Sequence, residues 1–249
     1  MVLGGDMTKG IIYYTDNSLN EQFAQGFRDR LIHAAPDIPI VSVSQKPIDF
    51  GHNICIGKLE RSLYSMWKQV LTALIYSKAD IIYVTEHDVL YNSSHFDFIP
   101  KDNNCFYYNK NMWYVSSKNG RVLRQKYLSF SQCVCNRLIL LDNMLQRVKW
   151  FENGGVLPPG KRAYEPGLIK SEGLDARSIF GINVDRKWGL KYFSSIKANI
   201  DIRHGGNLSG YRRFRPSTET ATHNRIYTDA VPGWGKSEGR FWEWFWEVI

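Results

Sequence analysis

No apolar run in these 249 residues approaches the roughly 18 to 20 needed to cross a bilayer, and the first ten residues lack the charged-then-apolar order of a secretory signal. A cytosolic protein is the expectation. Acidic residues are in deficit, 24 against 32 Lys and Arg, giving a formal charge of +8 and a surface that attracts polyanions and phosphorylated ligands. The four cysteines are scattered, and their one close pair, Cys133 and Cys135, has no second pair at zinc spacing. Neither a disulfide scaffold nor a zinc finger is indicated, so all four are read as reduced, mostly buried thiols. G-x-x-x-x-G-K-[ST] is absent, and no G-x-G-x-x-G follows the first strand, which removes the usual support for ATPase and dinucleotide readings. There is no internal repeat or low-complexity tract. With 43% hydrophobic and 22% charged residues, the composition is that of one folded domain rather than a disordered chain.

Periodicity divides what is present into alternating elements. Lys9 to Thr15 reads as a buried strand, Asn20 to Ala34 as a helix with Phe23, Phe27 and Leu31 on one face, and Ile38 to Ser44 as a second strand. Gly57 to Ser77 has the clearest helical spacing, and Asp80 to Thr85 is a third strand. The alternation predicts a mostly parallel sheet with helices on both faces, whose strand ends line one ligand-binding edge. Beyond Asp88, residues Cys105 to Tyr108, Met112 to Ser116 and Arg121 to Leu128 read as short antiparallel or mixed strands. Cys133 to Val148 returns to helical spacing, and Asn199 to Arg203 is a late strand. Met1 to Thr8 reads as a disordered start.

The third strand ends in Thr85-Glu86-His87-Asp88, and period-two geometry points Glu86 and Asp88 to the same side. Two neighbouring carboxylates at a buried strand end suit Mg²⁺ or Mn²⁺, which can bridge the phosphates of a nucleotide. The plainer alternative is a strand leaving the core through polar residues. Gly51 to Arg61 offers backbone amides, Lys58 and Arg61 near a helix N-terminus, an anion site by charge and geometry.

The order of strand, Asp-bearing loop, second strand, long helix and third strand ending in an E-x-D acid pair resembles the GT-A glycosyltransferases. The similarity in layout covers roughly residues 9 to 215. The fold it implies is GT-A-like, that is Rossmann-like, with a mixed-strand acceptor side. Residues 9–100 would be the nucleotide-sugar-binding half, 101–232 the acceptor half, and 233–249 a Trp-rich lid and terminal helix. The resemblance implies a nucleotide diphosphate sugar as donor and a metal on its diphosphate, held by Asp88, with Glu86 on metal, ribose or sugar and His87 beside the donor. His204, in Asp201-Ile202-Arg203-His204-Gly205-Gly206-Asn207, is similar to the late histidine ligand of some members, with Asn207 orienting it or contacting a phosphate. Thr15 and Asp16 would meet the base or ribose, and Arg212 the diphosphate.

An inverting transfer would need a carboxylate base, for which Glu165, Glu172 and Asp175 are the candidates on the acceptor side. Arg121, Arg124 and Lys126, interleaved with Tyr114 and Tyr127, together with Arg213 and Arg215, are either a solvated face or a nucleic-acid track. The acceptor expected first is a hydroxymethylated base in DNA, by resemblance to bacteriophage DNA-modifying transferases, which would place the chain in a host cytoplasm. A surface polysaccharide or glycolipid precursor is the alternative acceptor. A metal-dependent nuclease or phosphoesterase, and a non-catalytic nucleic-acid-binding module, are the other classes. Trp234, flanked by Gly233 and Gly235, is read as part of a lid over the donor.

Overall fold

The computed structural model describes residues 7–124, 128–156, 165–167, 188–206 and 227–249. The chain begins β1 (Lys9–Thr15), α1 (Glu21–Ala34), β2 (Ile40–Ser44), β3 (His52–Cys55), α2 (Leu63–Tyr76) and β4 (Ile81–Glu86). β5 (Val89–Leu90), a single helical turn α3 (Ser93–Phe96), β6 (Cys105–Asn109), β7 (Met112–Ser116) and β8 (Val122–Arg124) follow. Then come β9 (Cys133–Asn136), α4 (Arg137–Glu152), β10 (Gly189–Phe193), β11 (Asn199–Arg203) and β12 (Tyr227–Thr228). A small hairpin, β13 (Ala230–Val231) and β14 (Gly235–Lys236), precedes the final helix α5 (Phe241–Val248).

The main sheet has seven strands in the order β10-β6-β9-β4-β1-β2-β3. All run in one direction except β9, which is antiparallel to both of its neighbours. The expected α/β class, with a mostly parallel central sheet, is therefore what the chain adopts. Alternation along β1 explains the layering. Ile12 and Tyr14 pack on the α2 and α4 side with Trp67, Val70, Leu140 and Met144, whereas Ile11 and Tyr13 face Leu31 of α1 and Phe50. Asn20, Ser62 and Asn136 cap α1, α2 and α4 by accepting the N–H of Gln22, Ser65 and Leu138.

A second sheet has the order β12-β8-β7-β11-β5. It gives the expected mixed-strand region, although β6, β9 and β10 join the main sheet instead. The two sheets meet where β4 ends at Glu86 and β5 starts at Val89, because β5 pairs with β11 and the Ile202 N–H donates to the Asp88 carbonyl at 2.9 Å. A second core lies beyond, where Phe23 and Phe27 of α1 meet Phe241, Trp244 and Phe245 of α5.

Three boundaries differ from the sequence reading. The helix read from Gly57 starts at Leu63, since Gly57 has φ of 75° and the chain stays irregular until the Ser62 cap. His52–Cys55 forms an edge strand within the segment read as a loop. Cys133–Asn136 forms β9 before the helix begins, its first three residues buried between β4 and β6.

Candidate functional site

From β1 the chain runs outward to β2 and β3, and the next crossover, through α2, carries it back past β1 to β4 on the other side. The carboxyl ends of β1 and β4 therefore flank the topological switch point, where neighbouring loops part and leave a crevice. A cavity of about 300 Å³ opens there, lined by Asp16 after β1, Gln45 after β2 and Glu86, His87 and Asp88 after β4.

His87, Asp88 and His204 converge, their ligand-capable atoms all within 4.8 Å of one another. His87 and Asp88 occupy the junction between the two sheets, and β11 delivers His204 from the second sheet. Nε2 of His204 lies 3.5 Å from Oδ2 of Asp88. The Gly206 N–H donates to Nδ1 of His204 at 3.1 Å, which assigns the ring proton to Nε2, the side of Asp88. A Cβ at Gly206 would come within 2.9 Å of that ring, so any side chain there would have to displace it.

Asp88 is 6% exposed. Burial opposes its charge, but the hydrogen bond from His204 and the charges of His87 and Arg203 prevail and hold it at about 2. Glu86 moves the other way. Burial, and then the Asp88 charge, push it up to about 8, against the hydrogen bond that Tyr14 Oη donates to its Oε1. Glu86 thus lies against Tyr14 and is not one of the three converging groups, whereas His87, read from sequence as a donor contact, is.

A carboxylate and two imidazoles, with ligand atoms no farther apart than 4.8 Å, nearly match the ~4.4 Å span of opposite ligands around a small divalent ion. The residues fit such an ion. Their mixed oxygen and nitrogen character suits a transition ion such as Mn²⁺ better than Mg²⁺. Ligation through Nε2 would require the other neutral tautomer, with the single ring proton on Nδ1, and so would break the Gly206 N–H contact to that atom.

Asp16 pairs with Arg61, Oδ2 to Nε at 2.9 Å, and Arg61 also donates to the Gly206 carbonyl. Burial would raise Asp16, but hydrogen bonds from Ser18 and the charges of His87 and Arg61 leave it below the usual carboxylate range. Thr15 is buried, its carbonyl accepting from Gln69 Nε2 at 2.7 Å. Lys58 is exposed and lies off the cavity wall. Glu165 lines the cavity, while Glu172, Asp175, Asn207 and Arg212 lie outside the described residues. Arg121 and Arg124 are exposed and away from the cavity, Arg121 facing Glu238 at 3.8 Å, and Lys126, Arg213 and Arg215 lie outside the described residues. Trp234 sits in the second core with its indole N–H on the Ala198 carbonyl at 2.9 Å, and it does not line the cavity.

Two arginines on the wall were not singled out from the sequence. Arg203 donates to Oδ2 of Asp201 at 2.8 Å and stacks on Tyr114, 4.5 Å from its centroid. Arg147 is 2% exposed on the inner side of α4. Its signal is a lone cation, one turn after Asn143, within a helical stripe otherwise made of Ile139, Leu140, Met144 and Val148.

No family model matches the chain, and no curated protein matches it. Among solved structures, it is similar to S. aureus TarS 1-349 in complex with UDP-GlcNAc, at 15% identity and a TM-score of 0.46, over 81% of this chain and 60% of that one. It is also similar to a glycosyltransferase involved in the glycosylation of the major capsid of PBCV-1, at 8% identity and a TM-score of 0.42, over 83% and 87%. A third is the bifunctional IspDF from Campylobacter jejuni, at 12% identity and a TM-score of 0.43, over 76% and 50%. The chain spans between 37% and 60% of the length of TarS, IspDF and the S. pneumoniae glycosyltransferase GlyE.

Proposed function

We propose that the protein is a metal-dependent glycosyltransferase that moves a sugar from a nucleotide diphosphate donor to an acceptor hydroxyl. The observation that supports this most is the convergence of His87, Asp88 and His204 at the switch-point edge of a parallel sheet. His87, Asp88 and His204 would hold Mn²⁺, and a cation there supplies charge stabilisation to a departing diphosphate. Asp16 and Gln45 line the side assigned to the base and ribose, with Thr15 buried behind them and Arg61 fixed by Asp16. Arg203, on the cavity wall beside the three ligands, adds fixed positive charge near the diphosphate. Of the candidate bases for an inverting transfer, Glu165 lines the cavity and is placed in that role. The net charge of +8 and the exposed Arg121 and Arg124 support a polyanionic acceptor, with a hydroxymethylated base in DNA put first.

Incubation with a panel of UDP and GDP sugars in Mn²⁺ tests the reading. Heat stabilisation and slow donor hydrolysis by one of them, both abolished by EDTA, are expected. Cleavage of DNA without any donor would instead indicate a nuclease. Transfer of labelled sugar to hydroxymethylated but not to unmodified DNA checks the acceptor.

A further inference from the structure

The cavity has an inner end that neither the three proposed metal ligands nor the Asp16 side accounts for. Trp67, Phe130, Arg147, Glu165 and Pro166 wall it, between the start of α2 and the end of α4. Arg147 projects from the buried stripe of α4 that also carries Leu140, Met144 and Val148, where an aliphatic side chain would extend the core. A guanidinium in such a place is costly unless several partners fix it. Its Nε donates to Oδ1 of Asn143 at 2.7 Å, and its plane lies over the Trp67 ring, 4.6 Å from the centroid. Burial lowers it to about 10, against the opposing charge of Glu165, so it remains a cation at neutral pH.

The chemistry of this wall selects its occupant. A guanidinium fixed by Asn143 and by the Trp67 ring it covers suits oxygen acceptors on a ring, and the apolar wall of Phe130 and Pro166 suits a ring's C–H surface. Arg147 and Glu165 cancel in charge. A neutral polyhydroxyl ring keeps that balance, whereas an acidic sugar would bring a second carboxylate toward Glu165. We infer that this inner recess receives the neutral sugar ring of the donor and that Arg147 is a specificity-determining residue. The inference rests on the donor reading given above.

Titration calorimetry in Mn²⁺ separates the two. Affinities are measured for UDP and GDP, for UDP-glucose, UDP-N-acetylglucosamine and GDP-mannose, and for UDP-glucuronate. The nucleoside diphosphate without sugar serves as the reference in every variant. At least one neutral sugar conjugate is expected to bind about tenfold or more tighter than its own diphosphate, and tighter than the glucuronate. That ratio should fall to about one in Arg147→Met and to an intermediate value in Arg147→Lys, which keeps the charge but loses the fork. A ratio unchanged in both variants, or glucuronate binding as tightly as the neutral sugars, overturns the recess assignment while leaving the donor site standing. Absence of Mn²⁺-dependent binding by every nucleotide overturns both.

Discussion

The aromatic cluster between α1 and α5 and the polar seam between β4 and β5 are both buried, and they use burial in opposite ways. In the cluster, Phe245 is fully buried against Phe23 and Phe27, with ring centroids at 4.3 and 5.2 Å. Its two indole N–H groups are settled on carbonyls, Trp234 on Ala198 at 2.9 Å and Trp244 on Trp234 at 2.7 Å. The Arg30 guanidinium lies 4.8 Å over the Trp234 ring at its edge, and the cluster contributes mainly transfer free energy and ring contact. At the seam, the carboxyl groups of Glu86, Asp88 and Asp201, two imidazoles and Arg203 share one small volume. Burial and the Asp88 charge raise Glu86 to about 8, while the hydrogen bond from His204 and the charges of His87 and Arg203 hold Asp88 at about 2 against burial. Burial that stabilises in one place tunes proton and ligand affinity in the other.

That contrast can be broken experimentally. Asp88→Ala should reduce metal-dependent turnover by about a thousandfold, the several kcal/mol a cation supplies, while leaving the thermal midpoint within a few degrees. A fall in turnover that simply tracks unfolding would erase the distinction. Phe245→Ala should do the reverse, costing about 3–5 kcal/mol in urea unfolding, with Mn²⁺ affinity preserved wherever the protein is folded. His87→Ala should weaken Mn²⁺ binding by at least about tenfold, read by electron paramagnetic resonance titration, against no change for Lys58→Ala.

Glu86 sharpens the comparison through pH. Its carboxyl is raised in the folded state to about 8 from an ordinary value of 4.5, so the unfolded chain releases this proton first as pH rises. Its contribution to stability is full below about pH 4.5 and is lost as pH climbs toward 8. In metal-free protein, Glu86→Gln should therefore match the parent near pH 4.5 and melt at a higher temperature near pH 8.5. Parallel melting curves across that range would remove the assigned burial of charge. The smallest effect belongs to the surface. Arg121→Ala, which loses a partner at 3.8 Å in Glu238, should change stability by less than about 1 kcal/mol.

Much of this fold was legible because buried strands are short apolar runs between turn residues. Lys9–Thr15, Met112–Ser116 and Asn199–Arg203 have the bounds their sequences announce. His52–Cys55 was hidden because an exposed edge strand has no apolar period to display. Cys133–Asn136 was absorbed into the following helix because a continuous apolar stretch satisfies either period. At the site, the acid pair and His204 stood out as charged groups at strand ends. The role of His87 depends on where the turn after β4 directs it, and that of Arg147 on which side of α4 faces the cavity. Both are properties of tertiary placement rather than of spacing.

Asp88 lies where the backbone passes from β4 of the seven-stranded layer to β5 of the five-stranded one, with His204 arriving from the far layer. An ion seated between them would act as a rivet through both. Chelation should then slow or hasten more than chemistry: amide exchange along Val89–Leu90 and Asn199–Arg203 should quicken when the rivet is drawn, while exchange within the α1–α5 aromatic cluster stays as it was.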